Sequence, residues 1–185
     1  MLYKINYIKK ALYFAAQKHN GQFRRIGNLP YIVHPTEVAF DVSKYTDDEE
    51  IISAAFLHDV LEDCAVSVDT LKKEFNSRIA KIVKEISFTG EKKLSWKENQ
   101  EVYLQKIQNA SKEALIIVAV DKMNNIQDYF HTLKNEKKKL KNLFFGTPEE
   151  YIWFYDNIQD ILISKLGRQP IVKKYQKIWK ENKNL

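Results

Sequence analysis

Helix breakers are scarce in this chain: its 185 residues include 5 Gly and 4 Pro. Those two residue types interrupt helices most strongly, so long helices are predicted almost throughout. The apolar spacing agrees. Ile8, Leu12, Ala15 and Ala16 recur at helical intervals in the first segment, which is expected to stop near Asn20-Gly21. A short helix is predicted from Pro35, a residue suited to the first helical position. Thr46-Asp47-Asp48-Glu49-Glu50 reads as a capped start with acid in the first turn. That helix is expected to run through His58-Asp59 to about Asp63. Ser67-Val68-Asp69-Thr70 opens another helix, carrying Leu71 and Phe75. Further helices are expected over roughly 77–87, 95–109, 112–130, 149–165 and 170–182. Phe88 to Lys93 is predicted as a flexible loop, and the charge run Asn135 to Lys141 as an exposed turn and helix face. No internal repeat, strand-rich region or long linker interrupts this pattern. The expectation is an all-α fold, one domain over residues 1–185.

Hydrophobic residues at 44% and aromatics at 12% fit a globular chain with a real core. The single Cys64 excludes an internal disulfide and favours a reducing compartment. The start, Met1-Leu2-Tyr3-Lys4-Ile5-Asn6, has charge too early for a signal peptide, and no apolar run approaches the roughly 20 residues of a membrane span. A soluble cytoplasmic protein with no membrane partner is expected. The net charge of +6 fits either a basic cleft for a polyphosphate or a solvated lysine-rich surface. No recognition motif supports nucleic acid as a partner. Oligomeric state is not legible.

Four metal-binding residues stand in three separate places. They are His34 in Tyr31-Ile32-Val33-His34-Pro35, the pair His58-Asp59 within Ala54 to Asp63, and Asp121 in Val118-Ala119-Val120-Asp121-Lys122-Met123-Asn124-Asn125. Two imidazoles and two carboxylates suit a divalent ion of the Mn, Fe or Zn kind, and such an ion acidifies water near neutral pH. On one helix, adjacent His58 and Asp59 would point about 100° apart. Glu62 and Asp63 would share the side that faces the ion, at spacings of three and four residues. Asp121 and Asn125 are likewise four apart. Each residue has a plainer reading too. His34 before Pro35 suits a structural role, acids closing a helix often meet only solvent, and Asp121 follows the apolar run Leu115 to Val120, where a buried acid needs a partner.

These segments together resemble the HD-domain metal phosphohydrolases. More narrowly, the chain is similar to the hydrolase domain of Rel/Spo-type alarmone enzymes and to the small alarmone hydrolases. The matching stretches are Gln22-Phe23-Arg24-Arg25-Ile26-Gly27, Pro30 to Pro35, Ala54 to Asp63 and Asp121 to Asn125, with Leu71 to Phe75 and Ile79 to Val83 between them. The resemblance implies an HD-type helical bundle, a bound Mn²⁺ with Fe or Zn as alternatives, and a nucleotide polyphosphate as small-molecule partner. It implies hydrolysis of the 3′-pyrophosphate of ppGpp or pppGpp, giving GDP or GTP plus pyrophosphate. His34, His58, Asp59 and Asp121 match the family's metal ligands, and Glu62 and Asp63 its water-activating acids. Arg24 and Arg25 match its basic loop, Asn125 lines its nucleotide pocket, and Lys122 supplies a further charge. The family commonly has Lys-Leu-Ala before the last Asp, where Val118-Ala119-Val120 stands here, and often Arg where this chain has Gln127. Ser95-Trp96-Lys97-Glu98 and Glu150 to Tyr155 also resemble stand-alone members, although Tyr151, Trp153 and Tyr155 equally suit core and surface aromatics. Two alternatives stay open: an HD enzyme for another nucleotide (an adenosine alarmone, a deoxynucleotide or NADPH), and a binding module without catalysis.

Overall fold

Six consecutive residues, Ile51 to Phe56, are buried in helix α3 (Glu49–Phe56). A helix apolar on all sides has to be enclosed by others. The computed structural model, which describes residues 7–88, 90–135 and 145–183, encloses it with α1 (Tyr7–Lys18), α2 (Val33–Val42) and α6 (Ser77–Ile86). Short helices α4 (Val60–Asp63) and α5 (Val68–Glu74) complete this part. α1 buries the small residues Ala11 and Ala15, and α6 buries a single face of Ile79, Ala80, Ile82, Val83 and Ile86. Met1–Ser87 forms one compact unit and Phe88–Leu185 a second.

In the second unit, α8 (Lys112–Asn135) packs on α9 (Pro148–Leu166) and α10 (Pro170–Asn182), and α9 also meets α7 (Trp96–Ile107). Its core is aromatic. Tyr151 lies between Trp96 and Tyr129, with ring centroids at 4.5 and 4.4 Å. Tyr175 donates to the Tyr155 carbonyl at 3.0 Å, and the Trp179 indole to Asp156 at 2.7 Å. Tyr151 and Tyr155 are thus core aromatics, while Trp153 is half-buried under Lys97.

Helix starts follow side-chain chemistry. Asp48, Ser67 and Asn76 cap α3, α5 and α6, and Ser95 with Glu98 and Thr147 with Glu150 form reciprocal capping boxes. The described residues are helical apart from turns and one isolated antiparallel bridge, Phe23 to Pro30. α2 begins at Val33, two residues before Pro35, because a residue in the first turn needs no N–H. α8 runs on to Asn135, and the rest of the charge run, 136–141, lies outside the described residues. Phe88 and Gly90 to Lys93, within the predicted loop, are non-helical, and Asn99 ties this stretch by bonds to the Glu91 N–H and carbonyl at 2.7 and 3.1 Å. Among the described residues no helix is long and apolar enough to cross a membrane.

One element departs from expectation at a decisive place. The helix predicted to continue to Asp63 stops at Phe56, and Leu57, His58 and Asp59 form a turn before α4. The cause is local. His58 Nδ1 takes the carbonyl of Ala55 at 2.8 Å, an acceptor that an unbroken helix would offer to Asp59. Tight bonds then close the turn, from Leu57 N–H to Ala54 and from Val60 N–H to Leu57, each at 3.1 Å.

Candidate metal centre

The turn after α3 places His58 and Asp59 against the start of α2, where His34 sits. Both histidines are buried at 5% exposure. Their rings lie 5.2 Å apart, nearly edge to face. Asp59 Oδ2 is 3.0 Å from His58 Nε2 and 3.8 Å from His34 Nε2. A carbonyl only accepts, so Ala55 fixes the proton of His58 on Nδ1 and turns Nε2 to the carboxylate as a lone-pair donor. Ser87 Oγ holds the turn from behind, 3.2 Å from the His58 carbonyl and 2.7 Å from that of Val83. Two imidazole nitrogens and a carboxylate oxygen converging this closely suit a divalent first-row cation.

Tyr31 was not among the residues singled out from sequence, yet it belongs here. Its hydroxyl donates to Asp59 Oδ2 at 2.8 Å. Burial, and then the charges of Asp59 and Asp63, push its phenol far above the usual tyrosine range, so it stays a donor. The only signal was its place three residues before His34 in the same motif. Asp63 is exposed over the residue as a whole, but its carboxyl packs beside Asp59 and Tyr31. Burial first and the Asp59 charge second raise it above the usual carboxylate range, against the lowering effect of the nearby Tyr31 hydroxyl. Glu62 lies exposed in the single turn of α4.

The loop between α1 and α2 is shaped by Gly27 and Asn28, both with positive φ, at 74° and 52°. Arg24 N–H bonds the Leu29 carbonyl and Tyr31 N–H that of Gln22, at 2.8 and 2.9 Å. Arg24 pairs with Glu37 at 3.2 Å and is 14% exposed, while Arg25 is exposed.

In the second unit, Asp121 is buried on α8 at 7% exposure and finds the partners a buried acid requires. Lys122 Nζ meets its Oδ2 at 2.7 Å, and the Asn125 amide donates to Oδ1 at 2.8 Å. Lys122 also lies 5.0 Å from the Tyr103 ring centre. Both residues expected to face a nucleotide therefore hold the Asp121 carboxylate.

Sequence comparison matches residues 11–145 to the HD-domain family. A guanosine-3′,5′-bis(diphosphate) 3′-pyrophosphohydrolase of Aquifex aeolicus is 32% identical over 136 residues, covering 72% of this chain. The chain spans only 19% of that relative's length. The guanosine-3′,5′-bis(diphosphate) 3′-pyrophosphohydrolase MESH1 of Drosophila melanogaster is 31% identical over 122 residues, 64% of this chain and 67% of that one. A solved structure of a metazoan ortholog of SpoT superposes with a TM-score of 0.77 over 100% of both chains at 24% identity, a likeness of fold.

Proposed function

Since this chain belongs to the HD-domain family, we infer that it is a divalent-metal phosphohydrolase, and we propose that it removes the 3′-pyrophosphate of guanosine alarmones. The products are GDP from ppGpp, or GTP from pppGpp, plus pyrophosphate. The observation that carries the metal reading is Asp59 Oδ2 at 3.0 Å from His58 Nε2 and 3.8 Å from His34 Nε2, with the His58 proton committed to Ala55. Asp121, the buried acid of α8, is the fourth ligand in this reading; like His34 and His58 it is buried and offers one ligand atom. Both units then serve one catalytic domain of residues 1–185. Mn²⁺ is the proposed ion, with Fe or Zn as alternatives. A bound divalent ion supplies Lewis acidity, drawing charge from phosphate oxygen and acidifying water.

The chain's own residues do the rest. Glu62 and Asp63 orient the attacking water and take its proton. Arg24 and Arg25 meet phosphate charge from the loop before Tyr31. Lys122 and Asn125 act first on Asp121, which they hold by both oxygens, and line the nucleotide pocket from there. The substrate assignment rests on the names of the relatives, the Aquifex and Drosophila pyrophosphohydrolases. A cytoplasmic setting fits the lone thiol of Cys64.

A second reading keeps the metal and changes the nucleotide. Val118-Ala119-Val120 and Gln127 stand where basic residues are common in the alarmone hydrolases, which favours testing adenosine alarmones, deoxynucleotides and NADPH alongside. Mn²⁺-loaded protein should release pyrophosphate from ppGpp. Release of orthophosphate only, or turnover of another nucleotide with ppGpp ignored, would replace the alarmone assignment. Metal binding without turnover of any nucleotide would make the chain a binding module.

A further inference from the structure

We infer that Tyr31 is a positioning residue whose hydroxyl fixes the angle of the proposed ligand Asp59; this rests on the metal-hydrolase reading above. Its hydroxyl donates to Asp59 Oδ2 at 2.8 Å. The phenol itself is held on three sides. Its ring lies 4.8 Å over His19 and stands edge-on to His34 at 6.1 Å. Its backbone N–H bonds the Gln22 carbonyl at 2.9 Å.

Gln22 closes the circuit. Its amide donates to the Asp63 carbonyl at 2.9 Å, and its Oε1 takes the His19 Nδ1 proton at 2.7 Å. The same loop residue thus fixes the backbone of Tyr31 and the backbone of Asp63. Asp59 opens α4 and Asp63 closes it, so their two carboxyls repel when both are charged. The neutral Tyr31 hydroxyl donates to Asp59, stabilises that carboxylate against the repulsion and sets its angle. Hydrogen bonds of this kind to a liganding carboxylate typically change metal affinity or activity by about 10–100-fold.

Tyr31→Phe removes the hydroxyl and leaves the ring on His19 and His34. Chelator-treated wild type and variant should be titrated with Mn²⁺ by calorimetry, and kcat and KM for ppGpp measured at saturating Mn²⁺. The variant should bind Mn²⁺ about tenfold or more weakly. At saturation its kcat should fall by about tenfold with KM within about twofold. Unchanged Mn²⁺ affinity together with unchanged kcat would overturn the assignment. So would a metal-free variant melting more than about 10 °C below wild type, since the hydroxyl would then chiefly support the fold. Wild type that binds Mn²⁺ but ignores ppGpp would defeat the substrate reading alone, because the calorimetric comparison would still decide the role of Tyr31. Wild type that binds no Mn²⁺ would sink the metal reading and the assignment of Tyr31 with it.

Discussion

The Nδ1–H of His58 donates to the Ala55 carbonyl at 2.8 Å, across the turn that interrupts the predicted helix. One bond therefore ends α3, selects the tautomer of His58 and aims Nε2 at Asp59. His58→Ala removes a proposed ligand and the bond that shapes the turn. Metal content by mass spectrometry and turnover should fall together, the latter by more than about 100-fold. A variant that kept one metal per chain would remove His58 from the coordination shell.

Glu62→Gln and Asp63→Asn test chemistry apart from coordination. Each should keep its metal while kcat falls, and losing a general base typically costs about 10²–10⁴-fold. Full metal with unchanged kcat in both variants would leave these acids as a surface helix end.

Asp63 adds a pH signature. Burial and the Asp59 charge raise its carboxyl above the usual range, so the folded chain binds that proton more tightly than the unfolded one. The resulting stability is fully present below the unfolded pKa of about 3.9 and is lost as pH rises through the raised value. Asparagine stays neutral throughout. Metal-free Asp63→Asn should therefore melt above wild type at pH 7, with the difference shrinking toward pH 4. Equal melting temperatures at pH 7 would show that ionising Asp63 costs the fold nothing.

Helix content was legible because caps and apolar periodicity are local properties, as at Ser95 with Glu98 and along Ile79 to Ile86. The break at His58 was not, because spacing cannot reveal that a side chain has taken a carbonyl from the helix ladder. Residue types around His34 and His58-Asp59 marked a metal site, but the tie from Tyr31 to Asp59 joins residues 28 apart and becomes visible only in three dimensions. The same holds for Lys122 and Asn125. The resemblance put Asn125 in a nucleotide pocket and Lys122 as a further charge; only the three-dimensional structure shows that both also hold the buried Asp121 carboxylate.

Arg24 tests the proposed phosphate contact. Its guanidinium already shares a charge-assisted bond with Glu37 at 3.2 Å, which holds the fork in place before substrate arrives. Arg24→Ala should raise KM for ppGpp by about tenfold or more, the worth of one hydrogen bond to a charged group, with a smaller change in kcat. Added salt should raise KM of wild type more than that of the variant. A KM that ignores both the substitution and the salt would place phosphate elsewhere.

Arg78 tests the scaffold rather than the chemistry. Its fork meets Asp48 at 2.7 and 3.1 Å and Glu50 at 2.7 Å. Asp48 caps α3 through the Glu50 N–H, and Asn76, which bonds Glu50 at 2.7 Å, caps α6 through Ile79. The network thereby joins the starts of the helix that leads to His58 and the helix behind it. Arg78→Met keeps most of the stem and removes the charge. Urea unfolding should show a loss of about 1 kcal/mol at low salt, the upper end for an exposed pair, and less in 1 M NaCl. The Arg78 hydrogen bonds hold the Asp48 carboxyl below its usual range. Their stabilisation is thus present above about pH 3.9 and lost as pH falls through the depressed value. The cost of the substitution should shrink in the same window, and Mn²⁺ affinity should not move. A loss insensitive to both salt and pH would assign the effect to packing of the stem instead of charge.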